Sequence, residues 1–279
     1  MTAGAAGAAG AAGTAPAPPA AWDRVAEDPL ARLACEGATG ALHGPVGALY
    51  LCDGAVVHAE SPAAPDVGWR LTAGGRLSSE TWEEAVAQGG PGYRAGDFLV
   101  EHGRLSQGEL ELCHLSALFD AAYFVLYPLG DGQRPPERFL REARHWLGPV
   151  RPVPVPVLRR EVRRRRRLLE QAWPGAAVDA APVVPMPDAG RSHGHGAQAA
   201  CGRRAVLRAA DGVRTPVQIA RALGRPAFAT LLDVRRLTAL GLVRPPDPGV
   251  PEDGPPLHGA PGVPDTSLLL RIRDALEAL

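Results

Sequence analysis

Three observations predict an α+β protein: an Asp53-Gly54 turn between two apolar strands, capped helices downstream of it, and a helix-turn-helix pattern in the last third. The front domain is expected to be mixed, with a β-hairpin and helices. A basic helical connector then leads to a small helical rear domain.

The elements follow in chain order. Residues 1–21, almost all Ala, Gly and Pro, bury too little apolar surface to offset their ordering entropy and are expected to be disordered. The front domain spans residues 22–148 and opens with a short helix over 30–35. Strands follow at 40–44 and 47–52. Asp53-Gly54 then turns the chain into a third strand over 55–59, because both central residues of a type I′ turn need positive φ. Helices are predicted at 79–88, 95–102 and 106–129. The last begins with a capping box, Ser106-x-x-Glu109, ahead of Leu110, Leu112, Leu115, Leu118 and Phe119. It is apolar on most sides and therefore core. The aromatic and β-branched cluster at 123–127 also suits a strand.

Residues 149–173 combine a Val/Pro spacer at 150–157 with a helix whose Leu158, Val162, Leu169 and Trp173 share one side. Arg163 to Arg167 project from the other. A flexible linker is expected over 174–200. The rear domain, 201–246, holds the best-marked helix start in the chain: Thr215 accepts from new helix amides, and Pro216 sits where no amide bond is lost. Gly224 stops that helix and Pro226 starts the next. Phe228, Leu231, Val234, Leu237 and Leu240 then form its buried side, with Thr230, Asp233 and Arg236 outward. A second Pro/Gly linker covers 247–264. Residues 265–279 form an amphipathic helix with Leu268, Leu269, Ile272, Leu276 and Leu279 on one stripe, which alone is marginal and needs a partner surface.

Composition removes whole classes of chemistry. The chain has 279 residues, enough for about two domains, and contains no lysine and no asparagine, so all 30 basic residues are arginine. That bias reads as a GC-rich genome. Without lysine there is no Schiff base, no Walker A loop and no Ser-x-x-Lys nucleophile. Cys35, Cys52, Cys113 and Cys201 form no CxxC and are expected to be reduced, mostly buried thiols. The N-terminus lacks the basic start of a signal peptide and no apolar run reaches transmembrane length, so a cytoplasmic protein without a membrane partner is expected.

Charge is zero overall only because two imbalances cancel. Residues 22–137 carry 7 Arg against 17 acids, residues 138–173 carry 11 Arg against 3, and residues 191–247 carry 10 Arg against 3. Codon bias alone does not sort acids from arginines. An acidic sensing half and a basic half are expected.

With these elements in place, residues 30–245 resemble bacterial signalling proteins that carry a PatA-type N-terminal domain of unknown function and end in a small winged-helix module. The features that carry the resemblance are Gly47 to Ala59, Gly96-Asp97-Phe98, the helix through Arg163 to Leu169, and Asp211 to Val243. It implies a regulatory role without catalysis, as a module in signalling systems.

Two functions follow from these readings. In the first, the chain is a non-enzymatic cytoplasmic transcriptional regulator, acting as a dimer, whose 228–240 helix enters the major groove of double-stranded DNA. Arg235 or Arg236 would contact guanine or phosphate, and Arg225, Thr230 and Arg244 would seat the module on the backbone. The basic patch Arg159, Arg160, Arg163, Arg164, Arg165, Arg166 and Arg167 would neutralise phosphates, or else form a solvated face or dock on the acidic half. In the second, the chain is a signalling scaffold that binds proteins only, by both domains and the terminal helix. A wing needs a second strand after Val243, and Arg244-Pro245-Pro246 breaks the chain there.

No cofactor, no metal site and no catalytic residues are expected. His193-Gly194-His195 lies in a linker with no acid or thiol nearby. Cys113 and His114 point about 100° apart on a helix and cannot act on each other. Glu80, Glu83 and Glu84 read as a solvated helix face.

Overall fold

A computed structural model describes residues 28–127, 138–187 and 197–244, the last with side chains from 201 onward. The low-complexity leader, His193 and His195, the second linker and the stripe from Leu268 to Leu279 lie outside the described residues. Among those described, the chain is mixed α+β, with ten α-helices and a five-stranded antiparallel sheet.

The sheet grows around the Asp53-Gly54 turn. β1 (Gly40–Gly44), β2 (Gly47–Cys52) and β3 (Ala55–Glu60) form a meander, and Asp53 and Gly54 have φ of 48° and 77°, the left-handed pair that the turn demands. The Thr39 hydroxyl pins it by accepting the Asp53 amide at 3.0 Å. β4 (Arg138–Arg141) and β5 (Val153–Pro154) add the two edges, giving the order β4-β1-β2-β3-β5. One sheet face, with Leu42, Leu49, Leu51, Val56 and Ala59, enters the main core.

A register shift between Tyr50 and Leu51 leaves Val57 as an extra residue on β3. Such a bulge re-aims the residues beyond it. Tyr50 then sits opposite His58 in the ladder.

Helix α1 (Pro29–Cys35) precedes the sheet, capped by Asp28. After it come α2 (Val67–Ala73), α3 (Ser79–Gly89), α4 (Ala95–Glu101) and α5 (Gln107–Leu126). The Ser106–Glu109 capping box is present, and residues 123–126 continue the helix instead of forming a strand. Their aromatic side chains pack equally well from a helix once they face a core. Helices α2 to α5 also bury a second cluster, with Val67, Leu71, Ala85, Leu99 and Leu110.

The extended spacer is shorter than expected. β5 ends at Pro154 and α6 runs over Val155–Ala172, with Pro156 in its first turn, where proline costs no amide bond. Leu158, Val162 and Leu169 face the core as predicted.

The segment expected to be a flexible linker over 174–200 carries regular structure at 177–180 and 184–185 and again from 197. It forms α7 (Ala177–Ala180) and β6 (Val184–Pro185), with Val178 and Val183 buried. Helices α8 (Ala197–Ala209), α9 (Pro216–Leu223) and α10 (Ala227–Ala239) follow, then β7 (Val243–Arg244). Thr215 and Gln218 cap α9 reciprocally, and Gly224 ends it at φ 68°. β7 finds a strand partner upstream, because β6 pairs antiparallel with it. The Val183 amide also donates to the Arg214 carbonyl at 2.9 Å. The cysteines are all free, but Cys35 and Cys201 are exposed and only Cys52 and Cys113 are partly covered. Thus the expectation of mostly buried thiols fails, since Cys35 ends α1 on its solvent side.

Candidate functional site

The first turn of the helix expected to read DNA packs on the sheet-bearing half, while the candidate DNA residues themselves are scattered. α10 starts after Pro226, which offers no side-chain cap. Asp120 of α5 supplies that cap from more than a hundred residues away. Its Oδ2 accepts the Ala227 amide at 2.8 Å and its Oδ1 the Phe228 amide at 3.0 Å. The same carboxylate takes Arg70 Nη2 at 2.5 Å and Arg165 Nη1 at 3.5 Å, and the residue is 1% exposed. A helix start favours an anion through its free amides and its dipole, and here that anion is structural.

Apolar packing surrounds the carboxylate. Ala220, Ala227, Phe228 and Leu231 belong to the same core cluster as the sheet and α5. Phe228 meets Tyr123 edge-on at 5.4 Å, while the Arg165 guanidinium lies over the Phe228 ring at 4.7 Å. Arg221 of α9 donates to the Pro62 carbonyl.

The outward face expected for this helix therefore does not exist as predicted. Thr230, 0% exposed, donates back to the Pro226 carbonyl at 3.1 Å, and Asp233 is buried against Arg225 at 2.7 Å. Arg225 also donates to the Gly202 carbonyl, tying α8 to α10. Arg235, 4% exposed, holds Asp179 of α7 through Nε at 2.7 Å and Nη2 at 2.5 Å, and the Trp173 carbonyl at 2.7 Å. Leu240, expected inside, is exposed. The reason is tertiary: helices pack on several sides of α10, so its polar residues are buried with partners rather than facing water. Only Arg236 and Arg244 of the candidate DNA residues remain exposed.

The arginine-rich helix divides its charges. Arg165 turns inward to Asp120 and Arg159 pairs with Asp28, so part of the patch docks on the acidic half. Arg164 and Arg166 pair with Glu161 and Glu170 along the helix. Arg160, Arg163 and Arg167 are exposed, three and four residues apart and so on one stripe. Glu80, Glu83 and Glu84 are exposed as expected.

A second polar cluster lies on β3 beyond the bulge. His58 and Glu60, two residues apart, share a face, and His145 comes over them from the loop after β4. Glu60 Oε1 contacts His145 Nε2 at 2.9 Å and Glu60 Oε2 accepts the Tyr50 hydroxyl at 3.1 Å. The Leu147 amide donates to His145 Nδ1 at 3.2 Å, which leaves the ring's proton on Nε2 for Glu60. The His58 ring stacks on His145 at 3.6 Å and on His114 at 5.5 Å. His114 Nε2 bonds the carbonyl of Val57, the extra residue at the bulge, at 2.8 Å.

Burial works against protonating His58 and His114. Burial, then the neighbouring His145 and His114, push the His58 pKa well below the ordinary range; burial brings that of His114 to about 4. Burial would raise Glu60, but hydrogen bonds from His145 and Tyr50 outweigh it and hold the carboxylate ionised. Tyr50 is raised by burial and by Glu60. The Nδ1 atoms of His58 and His114 are buried without a hydrogen-bond partner.

Sequence reasoning passed over this cluster. The His58-Ala59-Glu60 spacing on a strand was a legible signal; His145, 85 residues beyond Glu60, was not. No helix among the described residues is long and apolar enough to cross a membrane. Comparison with known proteins yields no match: no protein family, no curated protein and no solved structure is significantly similar to this chain.

Proposed function

We propose that this chain is a non-enzymatic cytoplasmic regulatory adaptor, in which the helix-turn-helix is a packing unit and the work is done by protein contacts. The observation that carries this reading is the Asp120 cap. A helix-turn-helix reads DNA with the N-terminal residues of its second helix. Here those residues, Ala227 and Phe228, give their amides to Asp120 and their side chains to the shared core. Arg235, one of the two arginines expected to contact guanine or phosphate, is committed to Asp179. The resemblance to PatA-type signalling proteins supports the same regulatory role.

Exposed charge of both signs supports partner binding: Glu80, Glu83 and Glu84 on α3, and Arg160, Arg163 and Arg167 on α6. One observation favours the DNA reading instead, the exposure of Arg236 and Arg244. Fluorescence anisotropy with mixed-sequence duplex DNA at low ionic strength separates the two. The adaptor reading expects no salt-sensitive binding. Binding that weakens in Arg236→Ala, with the salt slope reduced by about 0.9, would establish the DNA reading in its place.

A further inference from the structure

We propose that His58, Glu60 and His145 form a binding site for one divalent transition-metal ion of the zinc class. One donor atom from each residue lies within 4.8 Å of the other two. Two come from alternate positions on one strand, which the sheet holds rigidly, and the third from a loop tied down where the Ala95 and Gly96 amides donate to the Trp146 and Leu147 carbonyls. His58 is 2% exposed and its Nδ1 has no hydrogen-bond partner. A buried ring nitrogen without a partner calls for an occupant, and the neighbours on offer are an imidazole and a carboxylate.

The donor chemistry selects the ion. Two imidazoles and one carboxylate suit zinc and its transition-metal neighbours, whereas magnesium and calcium favour oxygen donors throughout. Three protein ligands leave a fourth position open. Glu60, whose side chain is 42% exposed, offers the way in.

Uptake needs small, specific movements. The His58 and His145 rings lie 19° from parallel, so their in-plane lone pairs run side by side. Converging on one ion requires a ring rotation about χ2, a torsion with a broad energy well. His145 also passes its proton from Nε2 to Nδ1 and releases the Leu147 amide, while Glu60 turns from that proton to the ion.

The test uses the full chain with His193→Ala and His195→Ala, which removes the competing histidine pair. Cobalt is titrated while its visible absorption is followed, and zinc is titrated by calorimetry. One equivalent is expected to bind, with an intense, non-octahedral cobalt spectrum. Glu60→Gln and His145→Gln should each weaken binding at least about tenfold. Absence of saturable binding, or binding to Glu60→Gln as tight as to the parent, overturns the proposal and marks any residual uptake as adventitious. Should His145→Gln fail to fold, Glu60→Gln, altered at a partly exposed side chain, still decides.

Discussion

Replacing Asp120 with alanine should detach the helical rear module from the sheet. The carboxylate is 1% exposed and receives two first-turn amides of α10 together with Arg70 and Arg165. Removing one partner of a buried pair costs about 3–5 kcal/mol, because the remaining charge is left without compensation. Losing a helix cap adds about 1 kcal/mol. Arg70 keeps the Ser116 hydroxyl and the Pro65 carbonyl, which moderates the first figure. A total of about 4 kcal/mol follows, a large part of the roughly 5–15 kcal/mol that holds a typical domain together. For a chain of this size that lowers the melting temperature by about 8–16 °C, at about 2–4 °C per kcal/mol. Asp120→Asn keeps the shape but turns an NH2 group toward an amide or a guanidinium, and should lose most of the same stability. Glu83→Ala, on an exposed face, is the control and should stay within about 0.5 kcal/mol. The assay is urea and thermal unfolding followed by circular dichroism. If Asp120→Ala unfolds within about 1 kcal/mol of the parent, the carboxylate does not hold the junction and the argument for a buried second helix falls.

Two further outcomes concern ion pairing and pH. Asp179→Ala alone should cost about 3–5 kcal/mol by stranding Arg235, whereas Asp179→Leu combined with Arg235→Met should recover most of that loss in a double-mutant cycle, since apolar replacement of a whole buried pair is often neutral. Stability should fall on acidification from pH 6.5 towards pH 4, by up to about 1.4 kcal/mol per pH unit for each buried histidine. The sign follows from His58 and His114 having pKa values below those of the unfolded chain, so the unfolded state takes up protons first; His114→Gln should flatten the slope measured by urea titration across that window.

Local chemistry along the chain settled most of the elements. The Asp53-Gly54 turn, the Ser106–Glu109 box, the helix start at Thr215-Pro216 and the stop at Gly224 depend on residues within a few positions of one another, so their effect is readable without the fold. The apolar side of α6 was legible for the same reason, its period being set by the helix itself. Tertiary structure decided the rest. Periodicity gives the angle of a side chain about α10 but not how many neighbours surround the helix, so Thr230 and Asp233, expected outward with Arg236, and Arg235, expected to reach DNA, are instead buried with partners. The cap on α10 comes from Asp120 and the strand beside β7 from Val184–Pro185, both supplied by remote segments that only the folded chain brings near. The histidine column likewise needed a one-residue bulge to bring His58 and Glu60 onto the face that His145 covers. Sequence by itself thus determined the helices, strands and turns that carry local signals; the packing of distant segments decided where elements such as Val67–Ala73, Arg138–Arg141, Ala177–Ala180 and Val184–Pro185 form, and which polar groups are spent on holding the fold together.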